Sequence, residues 1–301
     1  MDIRHIAVSE SSSLFAVAAF ERDVQVWDYS KRQKVAELKT ILDFGGSRLA
    51  LYSGNRPLLI AGAYNRYGVR AYDLSLPGEE AWERRDLKKP QYIAASERLG
   101  LVTCGFSSAA MHIIDASTGH SMGKLRGALT CYFGPRDDEI ILSQGFGRIW
   151  SAGLASRRTI CRFPVRRGAL DIAQSADAVL ISDFGTLDDS AKPMTQIAPA
   201  RLLCYSRDAR LLWEADAAPL AHFLSVAWCP ELHLWFAVEW PYARGGPMKL
   251  KAFTEEGKPV HEAVIGVCSD TAFFLQGQCL ITSAGEVLEL PSLNVLWRFG
   301  D

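Results

Sequence analysis

No apolar run in this 301-residue chain approaches the roughly 20 residues that a bilayer-spanning helix needs. The N-terminus is equally unlike a secretory signal: no basic segment leads into an apolar one, and residues 9–13 are polar. A dominant charge is missing too, with 33 basic and 34 acidic side chains giving a net charge of −1. That balance argues against a nucleic acid or an anionic membrane held by bulk electrostatics. Paired cysteines are absent. The seven, at 104, 131, 161, 204, 229, 268 and 279, are odd in number, form no C-x-x-C, and mostly sit in apolar runs such as Leu101-Val-Thr-Cys104. They read as buried, reduced thiols of a cytoplasmic protein. Cys and His do not cluster, so neither zinc nor any other metal or cofactor is expected.

Sustained 3.6-residue periodicity is also scarce. Short apolar runs separated by Gly, Asn, Asp, Ser and Pro fill the chain instead, the pattern of an all-β protein. The runs recur in fours. The first unit reads His5-Ile-Ala-Val8, Leu14-Phe-Ala-Val-Ala-Ala-Phe20, Asp23-Val-Gln-Val-Trp-Asp28 and Lys34-Val-Ala-Glu-Leu38. Placing each first strand at residues 6, 49, 93, 131, 172, 226 and 273 gives steps of 38 to 54 residues. Most of these steps lie near the roughly 40–45 residues of a four-stranded propeller blade. The expected fold is therefore a seven-bladed β-propeller with four antiparallel strands per blade. It forms a single domain over 1–301, with blades at 1–40, 41–88, 89–127, 128–168, 169–219, 220–267 and 268–301.

The chain resembles the WD-repeat family. Trp27-Asp28, Tyr72-Asp73 and Ile114-Asp115 stand at the family's Trp-Asp position, each followed by a turn. No blade carries the family's Gly-His dipeptide, and only the first has a literal Trp-Asp. The resemblance therefore implies a degraded polar tetrad, with apolar packing as the main support. The chain also reads as beginning on an innermost strand and ending on an outermost one, so that blades one and seven meet through face packing.

In most blades the loop from the second to the third strand is tight. The exceptions are Asn65-Arg66-Tyr67 in blade two, residues 185–200 in blade five and 241–247 in blade six. Long loops in a compact repeat array mark the binding face. The second strand ends in an aromatic at Phe20, Tyr64, Phe106, Phe146, Phe184 and Trp240, with Ala284 in the seventh blade. Interblade packing is the simple role for these rings. The sharper one is that Tyr64 and Trp240 anchor a partner together with Arg66, Tyr67, Tyr242 and Arg244, since Tyr, Trp and Arg dominate hot spots. Asp183, Asp188 and Asp189 would add acidity for a cationic partner.

Catalytic signatures are sparse. No G-x-S-x-G is present, Gly145-Phe146-Gly147 lacks a following Lys-Ser/Thr, and the six histidines fall at unrelated repeat positions. Only Asp183 and Glu239, each just before a rim aromatic, suggest paired carboxylates. Arg157-Arg158 and Arg166-Arg167 read as a solvated strand edge. The expectation is a non-enzymatic, monomeric, protein-binding module, with a cognate toxin inhibitor as its narrower form. The alternative is a hydrolase or lyase using Asp183 and Glu239 at the top of the propeller channel. Unchanged partner affinity in a folded Trp240→Ala/Arg244→Ala protein would place the binding face elsewhere.

Overall fold

Runs rich in β-branched and aromatic residues, cut by turn formers, settle into strands of 3 to 9 residues. The computed structural model describes residues 3–19, 23–38, 48–62, 68–76, 78–108, 110–136, 139–144, 147–153, 157–164, 168–188, 195–242 and 246–300, and among these there is no helix. No helix long and apolar enough to cross a membrane is present among them. The strands form seven four-stranded antiparallel sheets in chain order, the blades of a β-propeller. Blade one is Ile3–Val8, Leu14–Ala19, Val24–Asp28 and Gln33–Leu38, each strand paired with the next.

Two compact units divide the chain. One holds Met1–Phe133, Ile281–Val287 and Leu296–Asp301; the other holds Gly134–Leu280 and Leu288–Val295. In each, the core lies between blades. Blade one packs on blade two through Val24, Val26, Leu49 and Leu59, and blade two on blade three through Leu58, Ile60, Val102 and Ile114. In the second unit Leu180 and Leu202 of blade five meet Phe223 and Trp235 of blade six, whose far face meets Leu280 and Leu288. Second strands such as Leu58–Gly62 and Ala178–Asp183 are buried throughout, whereas fourth strands such as Ser121–Arg126 and Leu211–Asp216 alternate toward solvent. Six cysteines are buried, Cys268 is half-buried, and no disulfide joins any of the seven. Burial pushes the Cys104, Cys131 and Cys204 thiols up to about 12, which leaves them as inert packing atoms.

The aspartates that end the third strands of blades one to three cap the turns that follow. Asp28 Oδ1 accepts from the Ser30 amide at 3.0 Å, the Ser30 hydroxyl at 2.7 Å and Ser13 Oγ at 2.6 Å. Asp115 Oδ1 likewise accepts from the Thr118 amide and hydroxyl at 2.8 and 2.7 Å, and Asp73 Oδ1 from the Ser75 amide at 2.8 Å. Burial opposes ionisation of Asp28, but the bonds from Ser13, Ser30 and Lys31 outweigh it and hold the carboxyl at about 2. Trp27 Nε1 is buried with no hydrogen-bond partner among the described residues, where its ring contributes packing.

A second recurrent device links blades. Trp82, in the fourth strand of blade two, donates Nε1–H to the Ala116 carbonyl of blade three at 2.8 Å, and Trp213 of blade five does the same to Glu255 of blade six at 2.8 Å. Each ring lies against a turn glycine, Gly119 or Gly257, held at φ +73° or +82°. A Cβ there would meet the indole at 2.8 or 2.5 Å.

Blades one and seven use aromatics without a bond of this kind. Phe15 meets Phe299 edge-on at 4.9 Å and Trp297 at 5.9 Å, while Trp27 lies 5.7 Å from both. The seventh sheet consists of Thr271–Phe274, Cys279–Thr282, Glu286–Glu289 and Val295–Arg298. Among the described residues, no strand of blade one joins it.

Candidate functional site at the rim of blades five and six

Antiparallel order sends the second-to-third-strand loop and the connection to the next blade out over the same edge of a blade. In the second unit that edge carries an insertion. Blade five interrupts itself between Ala178–Asp183 and Arg201–Ser206, and part of the interruption forms its own two-stranded hairpin, Thr186–Asp188 with Thr195–Ala198. Sequence patterning gave a loop over 185–200. Thr186-Leu-Asp instead alternates polar and apolar side chains, and Thr195-Gln-Ile-Ala brings two β-branched residues that suit a strand.

The hairpin is tied down. Gln196 Oε1 accepts from the Leu220 amide at 3.0 Å, in the connection from blade five to blade six. The Leu220 carbonyl accepts from the Tyr242 amide at 2.8 Å, and the Tyr242 hydroxyl donates to the Phe184 carbonyl at 3.1 Å, at the foot of the insertion. Tyr242 is thus an interblade tie as well as a rim aromatic. His222 fills the angle between Tyr242 and Trp240, its ring 4.6 and 5.3 Å from theirs. Burial lowers the His222 pKa to about 4, so the cluster is uncharged near neutrality. Trp240 is half-buried against the core between blades six and seven. Above this base stand Ile197, 67% exposed, and Leu220, 38% exposed, with Val267 at 64% on the next connection.

Of the residues singled out from sequence, Asp188 lies in the hairpin, whereas Trp240 and Tyr242 flank His222 at the end of the second strand of blade six. Tyr64, Arg66, Tyr67, Asp189 and Arg244 lie outside the described residues, as do Phe20 and Phe146. Asp183 corrects the expectation of an acidic surface group. It is fully buried at the end of a wholly buried strand, accepts from the Gly185 amide at 3.1 Å, and has Arg201 at 3.9 Å. Glu239 is 3% exposed, and its Oε1 accepts from Lys251 Nζ at 2.8 Å and from the Ala218 amide at 2.7 Å. Each carboxylate is engaged by a cation from the next strand of its own sheet.

Asp171 was not singled out from the sequence. It follows a bulge in the innermost strand of blade five, Ala169–Gln174, and Oδ2 accepts from the Val226 amide of blade six at 2.9 Å. Blade six has the same bulge, and Ser225 after it bonds Thr271 of blade seven at 3.0 Å. The extra residue re-aims the side chain that follows toward the next blade. A residue one step before the first inner apolar position was the available signal.

Burial, with Asp270 adding to it, pushes Asp171 up to about 7. Desolvation lowers His5 to about 4, as it does His222. The signs oppose. The folded state holds the Asp171 proton that the unfolded chain releases, so this contribution to stability falls from about pH 4 to 7. The folded state releases the histidine protons that the unfolded chain holds, so theirs rises from about pH 4 to 6.5. Urea midpoints measured against pH should therefore rise more steeply between about pH 5 and 6.5 in Asp171→Ser than in the parent protein. Parallel curves would show that Asp171 titrates normally.

No family model and no curated protein matches the chain. Among solved structures it is similar to a crystal structure of the computationally designed Ika8 protein, at a TM-score of 0.60 and 14% identity, over 99% of this chain and 86% of that one. At that identity the likeness speaks for the fold alone.

Proposed function

We propose that this chain is a non-enzymatic binding module that docks a protein partner on the rim of blades five and six. One observation carries the reading: Ile197 and Leu220 stand exposed on a base locked by Gln196, Tyr242 and Phe184. A pre-organised apolar knob loses little entropy on binding, and an apolar centre with aromatic neighbours is what hot spots require. Leu220 also holds φ at 54°, a left-handed conformation that costs a leucine about 1 kcal/mol or more. The commitment of Asp183 and Glu239 to Arg201 and Lys251 supports a role without catalysis.

Leu220→Asn removes the apolar side chain while suiting the left-handed backbone. The Ile197→Asp/Leu220→Asn protein should fold as well as the parent, yet retain a partner captured from its own cell extract at least tenfold more weakly, a loss of about 1.4 kcal/mol or more. Met122→Asp, on an outer strand of blade three, serves as the control. Equal retention by all three proteins would place docking elsewhere. A toxin domain as the captured protein would carry the narrower reading of a cognate inhibitor.

A further inference from the structure

The first unit has a cavity of about 360 Å³ at the edge of blade three, lined by residues 86–89 of the incoming connection, by Phe106, Ser107 and Ser108, and by Ala110 and His112. Its size falls at the lower end of the roughly 300–1,000 Å³ typical of small-molecule sites. The chemistry of the lining is one-sided. Lys88 and Lys89 bring ammonium groups, and Ser107 and Ser108 bring hydroxyls. Asp86 is the acidic member, but both its oxygens accept from Arg84, at 2.8 and 2.7 Å. Lys124, paired with His112 across the strands, adds a further cation.

His112 supplies the polar group that points to a ligand. Its ring lines the cavity edge-on to Phe106 at 5.4 Å, and its Nδ1 is buried with no partner among the described residues. A neutral imidazole carries one proton. Placing it on Nε2 leaves Nδ1 as an unfilled acceptor, a more tolerable state than a buried unfilled N–H, and makes Nε2–H the donor. Lys88 makes no ion pair, and Ser107 and Ser108 no side-chain hydrogen bond, with any described residue.

We propose that this cavity binds a small molecule through a phosphate monoester, held by Lys88, Lys89, Ser107, Ser108 and His112. A carboxylate is best matched by the planar fork of an arginine, and the Arg84 fork is already spent on Asp86. Point charges, hydroxyls and an imidazole N–H around an open volume instead suit a tetrahedral dianion with many acceptor sites. The site lies in the first unit and is independent of the rim of blades five and six.

Isothermal titration of the whole protein with ribose 5-phosphate, ribose, inorganic phosphate and a phosphoserine peptide tests the assignment. Ribose 5-phosphate should bind and ribose should not. Raising salt from about 50 to 300 mM should weaken binding, because exposed ammonium–phosphate attraction is screened. Lys88→Ala/Ser107→Ala should weaken it about tenfold or more with the circular dichroism spectrum unchanged. His112→Gln, which keeps a donor of similar reach, should weaken it less than His112→Phe. Any of four results would overturn the proposal: no heat with the sugar phosphate, equal affinity in the Lys88→Ala/Ser107→Ala protein, inorganic phosphate binding as tightly as the ester, or binding of the peptide alone.

Discussion

Replacing Phe15 by alanine should lower the unfolding free energy by about 3–5 kcal/mol, measured by urea denaturation followed in the far ultraviolet. Phe15 is fully buried and edge-on to both Phe299 and Trp297. Its loss removes apolar burial, two aromatic contacts and the filling of the space between two sheets. Elsewhere, blades two and three are also tied by the Trp82 bond and blades five and six by the Trp213 bond, so a cavity there would be partly braced. The seam of blades one and seven has packing without such a bond from Trp297. The damage should therefore be local before it is global: amide exchange should accelerate in Val295–Arg298 while Leu234–Pro241 keeps its protection. A loss below about 1 kcal/mol would mean that the neighbouring rings close the gap or that the seam is not load-sharing.

Lys251→Met should cost about 3 kcal/mol or more, because it strands the buried Glu239 carboxylate without its cation. The Lys251 ammonium also lies 5.7 Å from the centre of the Phe223 ring, so its charge is used twice. Lys251→Met/Glu239→Gln should recover most of the loss. Glutamine keeps an oxygen for the Ala218 amide, and the uncompensated charge disappears. Denaturation of the two variants beside the parent protein decides the matter. A single variant no worse than the double would show that Glu239 is not held as a charged, buried anchor of the connection between blades five and six.

The seven-fold, four-strand plan was legible because strand alternation and turn residues are local properties, and repetition made each blade a check on the others. Asp28, Asp73 and Asp115 were legible as strand-ending turns for the same reason. Trp240 and Tyr242 lie where the second strand of blade six exits, a position that antiparallel order alone dictates. Misjudged and missed residues share another cause. Asp183 looked like a surface acid because a long polar insertion follows it, but its exposure depends on the blade packed over its strand. Asp171 and Val226 are 55 residues apart, and their bond exists because a bulge turns one side chain into the next blade. Neither the bulge nor the identity of the facing residue is written in local composition. The same is true of the indole bonds from Trp82 and Trp213.

The insertion in blade five leaves at Asp183 and returns at Arg201, and these two residues face each other as an ordinary cross-strand pair. The excursion begins and ends at one rung of the ladder, so the sheet beneath does not register how long it is or what it contains. Lengthening of the excursion beyond its tied hairpin would cost mainly loop closure, which grows only slowly with length. Blade and excursion thus meet at a single rung, which makes the first independent of how far the second extends.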